Sequence, residues 1–285
     1  MNRSVADSFE KSFLSRSLSE EIARCDRYEL AGLFLETFRD RQPVLEAGCG
    51  SGRWCGWLDA HGIRTDGVDW SRELCERAQQ ALPSCRFIAG DMARMPVPDG
   101  AYGGLLALGS IEHTLTGPQA CLREFLRVVR PGGLAIITVP YGGPLRRAMR
   151  FLSRPLLRCR ASPWLRRLAG KETAGKSLAE ARREARAAWH PRFGRNEKGW
   201  HFYEYEFSRE QMRGFLAEAG WRVAREFVAF RNEGILNTFG RPAGRWNPER
   251  QDVDFTPLGR VLRALLPAPA CGHMLGYVAE KPAAT

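Results

Sequence analysis

Between Gln42 and Pro140 short apolar runs alternate with helical patterns, and this alternation leaves the chain few ways to fold. Val44–Ala47, Thr65–Asp69, Arg86–Ala89, Gly103–Leu108 and Leu134–Val139 have the length and composition of strands. Trp54–Ala60, Arg72–Ala81 and Pro118–Val129 carry helical spacing between them, clearest where Cys121, Leu122, Phe125, Val128 and Val129 share one face. Strands separated by helices pair in parallel through right-handed crossovers, which gives a doubly wound α/β sheet. Such a sheet holds its ligand at the carboxyl ends of its strands, where strand order reverses. The alternation stops at Pro140 and resumes near Phe207. Ser208 and Gln211 form a capping box for another helix, Gly220 can end it, and Trp221–Phe230 and Gly272–Glu280 read as two further strands, seven in all.

The pattern divides the 285 residues into an N-terminal helical segment (1–41), a core (42–140), an insertion (141–207) and the C-terminal part of the core (208–285). The insertion is predicted to be a helical cap. Leu145, Met149, Leu152 and Leu156 share a face, Ser162-Pro163 starts another turn, and Ser177 with Glu180 makes a second capping box. The net charge of +11 belongs to this region: Tyr141–His201 contains sixteen Lys or Arg against four Glu, a net of +12, and the remainder of the chain is close to neutral. The eight cysteines are scattered, with no Cys-x-x-Cys pair and no zinc-ligand spacing, so they read as reduced thiols acting as small hydrophobes in a cytoplasmic protein. Neither a signal-peptide pattern nor an apolar run of bilayer length is visible, Leu134–Val139 being the longest clean one.

Chemistry concentrates at three predicted strand ends. Val44-Leu45-Glu46-Ala47-Gly48-Cys49-Gly50-Ser51-Gly52 closes the first strand and opens a helix. Gly48, Gly50 and Gly52 let the backbone turn sharply and approach a ligand, and the helix start offers free N–H groups. Glu46 suits a ligand bearing ammonium and sulfonium charge better than a pyrophosphate, and the turn reads GCGSG, not the GxGxxG of dinucleotide sites. Asp69 ends the second strand and can accept from two ribose hydroxyls; as a helix cap it is inferior to Ser71. Asp91 and Met92 follow the third strand, where a carboxylate can accept from an adenine amino group and a thioether can pack on the ring. Each acid alone has a structural reading. Three on successive strand ends beside a glycine turn point to a nucleoside ligand.

VLEAGCGSG, GVDWS, FIAGDMARMPVPDGAYGGLLALGSIEHT and REFLRVVRPGGLAIITVP resemble the successive motifs of class I S-adenosylmethionine (SAM)-dependent methyltransferases, of the small-molecule type related to ubiquinone- and biotin-pathway enzymes. FSREQMRGFLAEAGWRVAREF is similar to that family's last helix and sixth strand, while the insertion and the stretch 231–270 lie outside the resemblance. The resemblance implies a Rossmann-like, seven-stranded, mostly parallel sheet and SAM as cofactor. It implies that Glu46, Gly48, Gly50 and Gly52 frame the methionine end, that Asp69 binds the ribose and that Asp91 and Met92 hold the adenine. Leu108 and Gly109 would line the sulfonium side. Trp70 either covers the adenine or packs in the core.

The acceptor side is less determined. Methyl transfer is an in-line displacement at an activated carbon, so alignment and exclusion of water do most of the work and a base is needed only where the acceptor must lose a proton. His113, in the Glu112-His113 pair, is the candidate base, with a structural role as its alternative. Tyr141, His201, Tyr203 and Tyr205 are candidates for the acceptor pocket, the last three because Trp200–Phe207 alternates as an extended segment. The basic insertion has three readings. It is a solvated cap over a small-molecule or lipid-linked acceptor, or a peripheral contact with anionic membrane through 145–158, where Leu, Met and Phe interleave with Arg146, Arg147, Arg150, Arg154 and Arg158. The third, an RNA-binding surface, is disfavoured because no RNA module or stacking platform accompanies the charge. A protein that binds SAM without catalysis is the remaining alternative.

Overall fold

The computed structural model describes residues 3–161, 164, 175–196 and 198–283; the side chains of 3–8, 153–161 and 187 also lie outside the description, as does the turn expected at Ser162-Pro163. In chain order, helices α1 (Arg3–Leu14), α2 (Leu18–Cys25) and α3 (Ala31–Phe38) precede β1 (Val44–Ala47), α4 (Arg53–Ala60), β2 (Thr65–Asp69), α5 (Arg72–Ala81), β3 (Phe87–Ala89), β4 (Tyr102–Leu108), α6 (Gln119–Val128) and β5 (Val129–Pro140). The insertion holds α7 (Pro144–Ala161), α8 (Leu178–Glu184), β6 (Pro191–Asn196) and β7 (Gly199–Tyr205). There follow α9 (Arg209–Glu218), β8 (Arg222–Ala229), α10 (Arg231–Phe239), β9 (Gly244–Asn247), β10 (Asp252–Phe255), α11 (Pro257–Leu265), α12 (Ala268–Cys271) and β11 (Met274–Glu280).

The main sheet has seven strands in the order β3-β2-β1-β4-β5-β11-β8. The first five are parallel, and β11 runs antiparallel between β5 and β8. Strand order therefore reverses between β1 and β4, and the carboxyl ends of these strands form the crevice where a doubly wound sheet binds its ligand. Successive residues point to opposite faces. Leu45, Leu105, Ile137 and Tyr277 join the core under α6 and α9, while Val44, Leu106, Ile136 and Val278 join the core under α2, α3 and α4. Burial of both faces explains why the central strands are continuously apolar rather than alternating. β5 begins five residues earlier than its apolar run, because Val129–Gly133 continues the pairing across a register shift beside Tyr102.

The insertion departs from the all-helical expectation. Its capping box, Ser177 with Glu180, forms as the sequence predicts, and so does that of Ser208 with Gln211 just after it. The stretch before Phe207, however, is an antiparallel hairpin of β6 and β7, and Trp200–Phe207 stands outside the main sheet. Alternating aromatic residues favour strand over helix when a partner is at hand. The chain leaves the sheet at Pro140 and returns beside it: Phe207 N donates to Pro140 O at 3.0 Å and Gly142 N to Phe207 O at 2.9 Å. The insertion thus leaves and rejoins the sheet at one place, over the carboxyl end of β5, and Phe202 and Tyr205 of its hairpin are buried in the main core. The seven cysteines with described side chains are all free and buried. None of the described helices is long and apolar enough to cross a membrane.

Candidate functional site

The turn from β1 to α4 is built by backbone geometry. Gly48, Gly50 and Gly52 all have positive φ (80°, 53° and 80°), a region that side-chain-bearing residues enter only at a cost. Gly48 and Cys49 both donate to Val68 O, at 2.8 and 3.1 Å, which ties the turn to β2. A Cβ on Gly48 would lie 2.8 Å from Ser110 Cβ, and one on Gly50 would lie 3.1 Å from the Phe13 ring. The turn is a cradle of bare backbone on which Phe13, Ser110 and Phe87 close.

The acids sit around this cradle. Asp69, at the end of β2, accepts Gly50 N on Oδ2 at 2.9 Å and Ser71 N on Oδ1 at 3.0 Å. Burial pushes its pKa up, and the two N–H groups oppose that rise. Each carboxylate oxygen retains a second lone pair for a ligand hydroxyl. Glu46 is buried, and Cys55 Sγ donates to its Oε2 at 3.2 Å. Burial, opposed by that thiol and by Arg53, raises its pKa to about 8. An acid in this state gains most from a cationic partner that enters beside it. Met92 reaches within 3.7 Å of the Cβ that Gly48 lacks, and Asp91 is exposed, with Oδ1 accepting Ala93 N at 2.9 Å. Trp70 follows Asp69 and is 40% exposed, so the core-packing alternative does not describe it.

Leu108 and Gly109 end β4, Gly109 with a φ of 60°, and Ser110 Oγ donates to Ala47 O at 3.2 Å. A short 3-10 turn over Ile111–His113 then buries Glu112 and His113. His113 Nδ1 lies 2.8 Å from Tyr203 O, and burial lowers the pKa of the ring. Tyr203 therefore does lie against His113, with ring centroids 5.4 Å apart. The other aromatic candidates divide. Tyr205 is fully buried in the core, its hydroxyl accepting Arg186 N at 3.0 Å and donating to Leu115 O at 2.8 Å; it is a framework residue and corrects the pocket assignment. His201 packs over Gly194 of the partner strand in the hairpin. Tyr141 is buried at the end of β5, its hydroxyl donating to Pro269 O at 3.2 Å.

Two groups of residues were not singled out from the sequence. The first belongs to the N-terminal helices. Phe13 packs on the glycine turn, Phe9 lies between His113 and Tyr203, Glu10 accepts from Ser71 Oγ, and buried Glu21 accepts Ser51 Oγ at 2.6 Å. α1 thus lies over the carboxyl edge from β1 to β4. Phe9 and Phe13, four apart on one helical face, were the available signal. The second group is a polar seam under the insertion: Arg146, Arg150 and Arg192 converge on Glu206, which is 1% exposed, and Arg192 also donates to Glu204 Oε1 at 2.8 Å. Burial together with Arg146 and Arg192 pushes the pKa of nearby His273 down to about 3. The signal here was Glu204 and Glu206, the acids alternating with the tyrosines that drew attention instead.

Comparison with known proteins bears on this geometry. Residues 45–137 match the family model of the methyltransferase domain. A trans-aconitate 2-methyltransferase of Azoarcus is 33% identical over 159 residues, covering 53% of this chain and 56% of that protein. A malonyl-[acyl-carrier protein] O-methyltransferase of Pseudescherichia vulneris is 30% identical over 146 residues, covering 50% and 56%. The chain thus spans about half the length of these curated relatives. Among solved structures, a Pyrococcus horikoshii protein superposes with a TM-score of 0.52 at 15% identity, over 88% of this chain and 87% of that one, which shows the fold. The glycine cradle lies inside the matched segment and the strand order is that of the matching fold, so residues 45–137 of this chain are similar to a methyltransferase domain.

Proposed function

We propose that the chain is a SAM-dependent methyltransferase acting on a small-molecule acceptor. The observation that carries this is the positive-φ glycine cradle at the β1–α4 turn, ringed by Glu46, Asp69 and Met92. Bound there, SAM supplies a methyl carbon already activated by its sulfonium. Glu46 faces the ammonium, Asp69 the ribose, and Asp91, Met92 and Trp70 the adenine. Leu108 and Gly109 border the reacting end. Phe9 and Phe13 on α1 exclude water from that end, which is the main service methyl transfer asks of a protein. His113 stands ready to accept a proton where the acceptor has one to lose, since its lowered pKa keeps the ring neutral at physiological pH.

The acceptor enters from the side of Tyr203 and the insertion. Both curated relatives are named for carboxylate-bearing acceptors, and the Arg146–Arg192 seam makes such an acceptor the first to try. A metabolite extract incubated with SAM and the protein, followed by mass spectrometry, should show a compound gaining one methyl mass. Absence of any methylated product, with S-adenosylhomocysteine binding intact, would leave a cofactor-binding protein without catalysis.

A contact with anionic membrane through 145–158 is a second reading, carried by Phe151 and Leu152, which are 66% and 68% exposed on an Arg-rich helix. The structure narrows it: Arg146 and Arg150 turn onto Glu206, and Leu145 packs against the cluster around Ile235 and Cys271. The lipid-facing residues of this reading are then Phe151 and Leu152. Flotation with anionic vesicles should be lost in Phe151→Ser/Leu152→Ser; flotation equal to that of the parent would remove the membrane from the account.

A further inference from the structure

We propose that Glu112, His113 and Glu204 form a binding site for one divalent transition-metal ion. One ligand atom from each residue lies within 4.8 Å of the others, and all three residues are buried. His113 Nδ1 is 2.8 Å from the Tyr203 carbonyl, which can only accept, so Nδ1 carries the proton and the Nε2 lone pair is open to a proton when the site is empty and to an ion when it is filled. A ring N–H anchored on a backbone carbonyl with the other nitrogen on a metal is the usual arrangement of a ligating histidine. Nε2 faces Glu112, 3.9 Å from Oε1, and Glu112 Oε2 is buried without a hydrogen-bond partner. Among the described residues, the guanidinium ion-paired to these carboxylates is that of Arg192, on Glu204 Oε1, which leaves Glu112 to the ion. Two buried carboxylates and a neutral imidazole converging in this way present the ligand set of an ion such as Mn²⁺ or Zn²⁺, with positions left over for water or an acceptor oxygen. Bond lengths of about 2.0–2.2 Å place the ligand atoms of a tetrahedral ion about 3.4 Å apart, so the carboxylates close on the ion as it binds.

The site stands on the acceptor side of the crevice: Glu112 Oε1 is 3.3 Å from the Cβ that Gly109 lacks. Its ligands come from two sources, the 3-10 turn after β4 and strand β7 of the insertion, so an ion would tie the hairpin more firmly to the core. Binding of the ion does not depend on methyl transfer, and the two are tested apart.

The experiment uses the full chain, stripped with a chelator, dialysed and titrated with MnCl₂ or ZnCl₂ by calorimetry, with metal content measured after desalting. One equivalent of Mn²⁺ or Zn²⁺ should bind, and Glu112→Gln and Glu204→Gln should each weaken it at least tenfold. S-adenosylhomocysteine affinity should stay within about twofold in both, which also reports that they are folded. Pulsed electron paramagnetic resonance of the Mn²⁺ protein should show coupling to one imidazole nitrogen, lost in His113→Asn. Failure of both metals to bind stoichiometrically, undiminished binding in the two Gln variants, or no nitrogen coupling would each overturn the site.

Discussion

The two sides of the crevice are built on different principles. The cofactor side, at the ends of β1, β2 and β3, is fixed by backbone: positive-φ glycines and N–H groups pointing at Asp69. The acceptor side, under the insertion, is fixed by side-chain charge: Arg146, Arg150 and Arg192 on Glu206, with Glu204, Glu112 and His113 beyond. Backbone geometry serves a ligand that never changes. A seam of long ionic side chains can be rewritten one residue at a time, which suits the part of the molecule that chooses an acceptor. The first side should therefore be brittle to steric change and indifferent to salt, and the second the reverse.

The largest effect tests the brittle side. Gly50→Val places a β-branched residue at a φ of 53°, with its Cβ 3.1 Å from the Phe13 ring. The backbone strain alone is on the order of 1–3 kcal/mol, and the added methyls displace the Phe13 ring that covers the turn. S-adenosylhomocysteine affinity measured by calorimetry should fall at least about 100-fold, which is about 2.7 kcal/mol. A loss under tenfold would show that the turn is not the ligand cradle.

The next effect is of pH. Glu46 has its pKa raised by burial to about 8, from an ordinary value of 4.5. The protonated form is the one the ligand-free fold favours: the stability this carboxyl contributes is fully present below its unfolded pKa and is lost as pH rises through about 8. An ammonium needs the ionised form, so S-adenosylhomocysteine affinity should weaken as pH falls below 8, by up to about tenfold per unit. Calorimetry in buffers of different ionisation enthalpy should detect about one proton released on binding near pH 7. Glu46→Gln should flatten both the pH profile and the buffer dependence; an unchanged profile would move the ammonium away from Glu46.

The same division explains what could be read from the chain alone. The sheet, its strand ends and the acids on them follow from local patterns, since apolar runs, glycines and caps act over a few residues. The hairpin β6–β7 was anticipated only as an extended segment. Its partner Pro191–Asn196 carries a glycine and two arginines within six residues, a weak strand signal that pairing with β7 overrides. Tyr205 was misassigned because alternation identifies two faces without saying which is inside: its hydroxyl is held by Arg186 N and Leu115 O, distant contacts that no local pattern encodes. Glu206 was missed for a related reason, since its arginines come from α7 and β6, 60 and 14 residues upstream in the case of Arg146 and Arg192. Long-range ion pairs leave no periodicity to detect.

A third effect belongs to the charged side. Glu206→Gln keeps the shape and removes the charge that three arginines share, whose side chains are 12%, 30% and 43% exposed. A fully buried pair broken this way costs about 3–5 kcal/mol, and partial exposure of the arginines reduces that to about 2 kcal/mol here. Urea unfolding should show the loss, and it should shrink as salt is raised, because mobile ions screen the arginines left unpaired. Cofactor affinity should hold within about twofold, as expected for sites without shared partners. A large loss of S-adenosylhomocysteine binding would mean that the two sides are not separable.

The smallest effect sharpens the boundary of the cofactor side. Trp70 follows Asp69 at the end of β2 and is 40% exposed, far from the burial of Trp54 at 2% or Trp57 at 3%. An indole so placed loses little packing when removed, so Trp70→Ala should leave stability within about 0.5 kcal/mol. Stacking of an aromatic ring on a base contributes about 1–3 kcal/mol, and an edge position puts Trp70 at the lower end. S-adenosylhomocysteine should then bind about tenfold more weakly to Trp70→Ala, with Trp70→Phe recovering part of the loss because a ring face is restored. Quenching of tryptophan fluorescence on ligand binding should diminish in both variants, since the indole beside the adenine is gone. If stability falls while affinity and quenching stay as they were, Trp70 belongs to the framework, and the adenine is held by Asp91 and Met92 alone.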